Sequence, residues 1–200
     1  MTSHFATWRI ASFALICAAA SLSLTGRPPQ KPKPKPPAAQ SASDPMVIDQ
    51  QGYRDILARY RGKPLLVNFW ATWCEPCREE YPMINDLARQ YAPQGLIVVG
   101  ISLDDDGEIT LVRHFLARNK PVFPNYRKRP GSEEVFINAV NPKWSGAIPA
   151  TFFYGRGGGE VGHLVGEHPR ERFEKAIRAL LESDRKGSPA TGTESGPEGR

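Results

Sequence analysis

Leu65-Leu66-Val67-Asn68-Phe69-Trp70-Ala71-Thr72-Trp73-Cys74-Glu75-Pro76-Cys77 is the stretch on which the reading of this chain turns. Its first six residues are a near-continuous apolar run, the pattern of a strand buried on both faces. Gly62-Lys63-Pro64 precedes it as a break. Behind the cysteines, Tyr81, Ile84, Leu87 and Tyr91 recur at helical spacing, with Pro82 inside the stretch as an expected kink. The Cys-x-x-Cys pair therefore stands where a buried strand gives way to a helix.

That spacing suits a redox dithiol, half of a zinc site, a haem attachment site or a short structural staple. Haem attachment requires His directly after the second cysteine, where Arg78 stands. Zinc requires two further Cys or His ligands, and His4, His114, His163 and His168 are scattered. As a staple the pair closes too short a loop to restrict the unfolded chain much. The redox reading is the strongest of the four. Cys17, the third cysteine, lies in a stretch that reads as an export signal, so the domain beyond it holds a single pair.

Working outward, the 200 residues fit one domain plus tails. The net charge of +5 collects at the N-terminal end: residues 46–183 carry 18 basic and 17 acidic side chains, which leaves no nucleic-acid footprint. Residues 1–26 have the layout of a signal peptide or signal anchor, with Arg9, an apolar run over 10–24 and Ala18-Ala19-Ala20 as a cleavage site. Ile16 argues against a lipoprotein site at Cys17. Arg27, Lys31, Lys33 and Lys35 follow the apolar run, opposite to the usual placement of positive charge. Alternating Lys and Pro make 27–45 an extended polyproline linker, either a spacer or a ligand for a proline-binding partner. Residues 184–200 read as a disordered tail.

Within 46–183 the periodicities alternate. Met46 to Asp49 can be a short strand, and Tyr53, Ile56, Leu57 and Tyr60 make a helical stripe. Leu96 to Ile101 is a second buried strand, and Ile109, Val112, Phe115 and Leu116 mark another helix. The Asp104-Asp105-Asp106 triplet before it is explained by helix capping and dipole effects without a metal. Pro121 to Gly146 is less regular. A strand over 150–154, a Gly157-Gly158-Gly159 hairpin turn, a strand over 160–165 and a helix carrying Phe173, Ile177, Leu180 and Leu181 complete an α/β sandwich around a mixed sheet.

The Phe69-Trp70-Ala71-Thr72-Trp73-Cys74-Glu75-Pro76-Cys77 run, Pro82 in the following helix and Ile148-Pro149-Ala150-Thr151-Phe152 before a late strand resemble the thioredoxin superfamily. More narrowly they resemble its exported TlpA/ResA branch, whose members reduce disulfides outside the cytoplasm. The resemblance implies a thioredoxin-like fold with an irregular insertion before the cis-proline strand, and it covers 46–183. It makes Pro149 a cis-proline beside the cysteines, exposing the Ile148 backbone to an extended substrate. It implies no cofactor. Its implied partners are protein disulfide substrates, with cytochrome c maturation as one setting, and a membrane thiol-electron donor. The location it implies is periplasmic or extracytoplasmic, with residues 10–24 as a possible membrane anchor.

Cys74 at a helix N-terminus is favoured as thiolate and hence as nucleophile, and Cys77, one turn inward, resolves the mixed disulfide. Glu75 beside Cys74 opposes the thiolate, which points to a reductant, and Pro76 completes the tuning dipeptide. Asn68 stands where thioredoxin carries a buried acid. Glu80, one turn beyond Cys77, resembles a glutamate that couples proton and thiol chemistry in the ResA-like branch, or is a solvent-facing charge like Glu79. Trp70 and Trp73 pack beneath and beside the disulfide, and Trp73 joins Ile148 and Pro149 as a substrate-contact candidate. The stretch with Phe136, Trp144 and Gly146 either shapes the substrate groove or is a surface insertion. Two other functions stay open: a peroxiredoxin-type thiol peroxidase, for which Thr72 has the wrong offset from Cys74, and a copper carrier using both thiolates with His163 or His168.

Overall fold

Alternate residues of the strand Leu65–Trp70 serve two different cores. The structure, a computed structural model, describes residues 44–131 and 133–186. In chain order its elements are β1 (Met46–Ile48), α1 (Gln50–Arg59), β2 (Leu65–Trp70), α2 (Glu75–Tyr91), β3 (Ile97–Ser102), α3 (Ile109–Asn119), β4 (Asn125–Lys128), α4 (Glu133–Val140), β5 (Ala150–Tyr154), β6 (Glu160–Val165) and α5 (Arg170–Lys186). The strands form one mixed sheet in the order β1-β4-β3-β2-β5-β6. The first four in that order run parallel, and β5 and β6 are antiparallel to their neighbours. This is the expected α/β thioredoxin-like architecture.

Because side chains alternate along a strand, Leu66 and Trp70 face a core built with α2, α3 and α5, whereas Leu65, Val67 and Phe69 face one built with α1 and α4. The apolar run of β2 is buried throughout because both its faces are covered. The helix stripes read from the sequence are buried in full in α2 (Tyr81, Ile84, Leu87, Tyr91) and α5 (Phe173, Ile177, Leu180, Leu181). In α1 Tyr53 and Ile56 are buried with Leu57 and the C-cap Tyr60 half-buried, and in α3 Val112 is buried with Ile109, Phe115 and Leu116 half-buried. α2 continues through Pro82 as one helix. Asp49 caps α1, accepting from Gln51 N at 3.0 Å and Gly52 N at 2.9 Å. The three glycines 157–159 make the β5–β6 turn, closed by Gly155 N donating to Gly159 O at 3.0 Å. α5 runs to Lys186, past the boundary expected at 183. The segments read as export signal, linker and tail fall otherwise outside the described residues.

The stretch 121–146, expected to be less regular, contains a strand and a helix. Asn125-Tyr126-Arg127-Lys128 has no apolar alternation, yet β4 lies between β1 and β3 and all four residues are buried. Partners offset the burial of its charges: Arg127 Nη2 pairs with Asp106 at 2.5 Å and Lys128 Nζ with Glu133 at 3.2 Å. The irregular part before β5 shrinks to 141–149. Phe136 and Trp144 are not a surface insertion, since both are buried against Phe69, with Trp144 at a ring-centroid distance of 4.9 Å.

Candidate active site

β2 ends at Trp70, paired with Ser102 at the end of β3. Antiparallel β5 begins at Ala150 opposite Phe69, so the pairing delivers residues 148–149 to the same end of the sheet as the turn 71–74. α2 starts from that turn. Cys74 is its N-cap, in extended conformation, and Pro76 in the first turn has the preset φ and lacks the N–H that would have no partner there. Cys77 N–H donates to Cys74 Sγ at 3.3 Å, and Cys74 N–H to Ala71 O at 3.3 Å.

Cys74 and Cys77 are joined as a disulfide, with S–S 2.03 Å and Cα–Cα 5.3 Å. Cys74 is 6% exposed and Cys77 1%, so attack from outside meets Cys74 first. Trp73 stands beside them at 60% exposure, whereas Trp70 is fully buried in the cluster that contains both cysteines, with Tyr81 and Phe115 against its ring. The Ile148–Pro149 peptide is cis. Ile148 packs against the cluster that holds the cysteines, and Pro149 O accepts Gly166 N at 2.8 Å. Trp144 Nε1 donates to Ala147 O at 2.9 Å, tying down the approach to Ile148.

Glu75 and Glu79 are exposed, but Glu80 is buried on the inner face of α2 with Cys77 and Tyr81. Asn68 Nδ2 donates to Glu80 Oε1 at 3.1 Å and to Thr151 Oγ1 at 3.0 Å. Burial pushes the Glu80 carboxyl up to about 7; the Asn68 hydrogen bond opposes the rise and the charge of Glu167 adds to it. An acid with that value exchanges a proton near neutral pH. Helical spacing puts Glu80 beside Cys77, but its pairing with Asn68 joins two elements and no local pattern announces it.

Asp104 was hidden in the acidic triplet. Capping describes its neighbours: Asp105 and Glu108 form a capping box on the 3-10 turn leading to α3, and Asp106 pairs with Arg127. Asp104 itself is fully buried. Its Oδ1 and Oδ2 accept Thr72 N–H at 3.0 and 3.1 Å, Oδ2 accepts Ser102 Oγ–H at 2.6 Å, and Oδ1 also accepts the Thr72 hydroxyl.

A dithiol pair at a helix N-terminus, one cysteine more enclosed than the other, beside a cis-proline loop on this sheet, defines a thiol-disulfide oxidoreductase of the thioredoxin fold. The chain belongs to the AhpC/TSA family, whose profile matches residues 38–159. Within it, the chain is similar to the thiol-disulfide oxidoreductase ResA of Geobacillus kaustophilus, 31% identical over 70% of this chain and 76% of that protein. The ResA of Bacillus anthracis is 28% identical over 74% of this chain and 81% of its own. Among solved structures, a thiol:disulfide interchange protein of the thioredoxin family from Chlorobium tepidum TLS matches with a TM-score of 0.53 and 28% identity. That match covers 62% of this chain and 83% of that one.

Proposed function

We propose that this protein is an extracytoplasmic reductant of protein disulfides. In the reduced enzyme the Cys74 thiolate attacks a substrate disulfide, forming a mixed disulfide and releasing the first substrate thiol. Cys77 gives up its proton and attacks Cys74 Sγ, releasing the second thiol and leaving the Cys74–Cys77 disulfide. Two electrons pass to the substrate, and a membrane thiol donor returns them. Trp73, Ile148 and Pro149 are the proposed substrate contacts, and Glu80 the acceptor of the Cys77 proton.

The observation that carries the reading is the placement of Cys74 Sγ at the head of α2, 3.3 Å from the Cys77 amide, with Cys77 enclosed behind it. Support for the reducing direction comes from Glu75 in the first turn of α2 and the buried Glu80 carboxyl, since negative charge near the thiols disfavours thiolate and so disfavours the dithiol form that a strong oxidant stabilises. Export is supported by the apolar run over 10–24 with its small residues, which lies outside the described residues. Among the described residues no helix is long and apolar enough to cross a membrane. The substrates that the ResA-like resemblance suggests include apocytochrome disulfides before haem attachment.

The test is the equilibrium potential against a thiol buffer: a value near about −270 mV supports reduction, and one near about −120 mV overturns it while sparing the fold. A thiol peroxidase is the second reading, favoured by the AhpC/TSA match. Against it, the Thr72 hydroxyl is donated to Asp104 and so engaged away from Cys74. Peroxide consumption separates the two. For the copper reading, His163 is bonded to Glu160 and His168 to Val165 O, and among the described residues no three His, Cys, Asp or Glu side chains gather at ligand spacing.

A further inference from the structure

We propose that Asp104 is the positioning residue of the active-site turn, setting the place of Cys74 through Thr72. The inference rests on Cys74 being the nucleophile. A carboxylate without solvent contact is costly unless its lone pairs are filled. All the groups that meet this one are donors: Thr72 N–H, the Thr72 hydroxyl and the Ser102 hydroxyl. Ser102 Oγ in turn accepts Asp104 N–H at 3.0 Å, and Asp104 O accepts Arg127 Nη1 at 3.4 Å, which anchors the segment to β4.

The consequence lies in the chain path. Thr72 is held by both its main chain and its side chain, and only Trp73 separates it from Cys74. Cys74 is held from the other side as the N-cap of α2, by its N–H to Ala71 O and by the Cys77 N–H on its sulfur. Residues 71–74 are therefore clamped between the end of β3 and the head of α2. Their freedom to rotate decides whether Sγ stays over the helix N-terminus, where N–H groups and the helix dipole favour thiolate. Asp104 touches no reacting atom; it acts through Thr72. A contact needed only for stability could sit anywhere in the core, whereas this one pins the residue two before the sulfur.

The test compares Asp104→Asn with Asp104→Ala in the reduced full-length protein, following the pH dependence of iodoacetamide capture and mapping the alkylated cysteine by mass. Both variants lose the negative charge, but Asn keeps an acceptor oxygen for Thr72. Positioning predicts that Asn keeps its capture midpoint at or below that of the wild type. Ala moves upward toward a free thiol, its thiolate fraction at neutral pH about fivefold lower than that of Asn. Superimposed Asn and Ala profiles overturn the proposal. If Ala does not fold, Thr72→Ala removes one of the four donor contacts, and its midpoint must rise above that of the wild type; an unchanged midpoint also overturns the proposal. Capture at Cys77 in the wild type instead refutes the nucleophile assignment itself, a distinguishable outcome.

Discussion

Asn68 and Glu80 meet across the interface between β2 and α2, the amide Nδ2 of one donating to Oε1 of the other at 3.1 Å. The pair places a buried acid on α2 against an amide of β2. The Glu80 carboxyl at about 7 lies above its ordinary 4.5, so the folded protein holds a proton that the unfolded chain releases between those values. Stability from this group is fully present below pH 4.5 and is lost as pH rises through about 7. Glu80→Gln keeps an acceptor for Asn68 and removes the titration. Denaturant unfolding of the oxidised protein should show the wild type falling relative to the variant over that window by a few kcal/mol, on the order of the pKa difference. Parallel pH profiles would rule out the raised carboxyl.

The same substitution should slow the resolving step. With a proton acceptor lost beside Cys77, the decay of a preformed mixed disulfide at Cys74 in Glu80→Gln should be about a hundredfold slower at neutral pH, the low end of general-base contributions. Stopped-flow decay of an aromatic mixed disulfide reads this directly. A rate unchanged across pH 6 to 8 would assign Glu80 to packing alone.

Replacing the enclosed sulfur separates attack from resolution. Cys77→Ser should accumulate mixed disulfides through Cys74, because the first step proceeds and the second has no nucleophile. Cys74→Ser should accumulate none. Non-reducing electrophoresis after incubation with an oxidised protein substrate distinguishes them, and trapping by the Cys74→Ser variant reverses the assignment.

Trp73 is exposed at 60%, unlike every other aromatic side chain named in the two cores. A ring left in water beside a reactive disulfide has little to lose in stability when truncated. Trp73→Ala should shift the unfolding free energy by less than about 0.5 kcal/mol while raising the KM for a folded protein disulfide about tenfold, a loss of about 1.4 kcal/mol of contact. Turnover of a small aromatic disulfide should change far less. Equal losses for both substrates would place the tryptophan in the chemistry and not in recognition.

Those residues were legible in the sequence to different degrees, for a physical reason. β2, α2 and α5 announce themselves because burial on a repeating face leaves a periodic apolar record, and the cysteines because their spacing has few chemical uses. β4 leaves no such record: Arg127 and Lys128 are buried beside carboxylate partners that offset the cost of burying their charges, so no apolar pattern marks the strand. Asp104 is indistinguishable in the sequence from Asp105 and Asp106. The donors it meets, on Thr72 and Ser102, gather only when β2 and β3 pair in register.

Gly100 illustrates the same dependence on pairing and supplies a stability test. It lies in the middle of β3, opposite Asn125 of β4. A Cβ there would come 2.2 Å from Asn125 Oδ1, an impossible approach. That oxygen cannot simply withdraw, because it accepts the Tyr81 hydroxyl at 2.8 Å and Trp70 Nε1 at 3.3 Å beneath the active site. Gly100→Ala therefore forces either a strand displacement or the loss of both buried hydrogen bonds, at about 3 kcal/mol. For a domain of this size that is a fall in Tm on the order of 10 °C. In an Asn125→Ala background the one tight neighbour left to the methyl is Phe123 Cε2 at 3.2 Å, so the same substitution should cost about 1 kcal/mol in place of about 3, a non-additivity that identifies the Asn125 contact. Additive losses in the double variant would mean that the methyl is resisted by something other than Asn125.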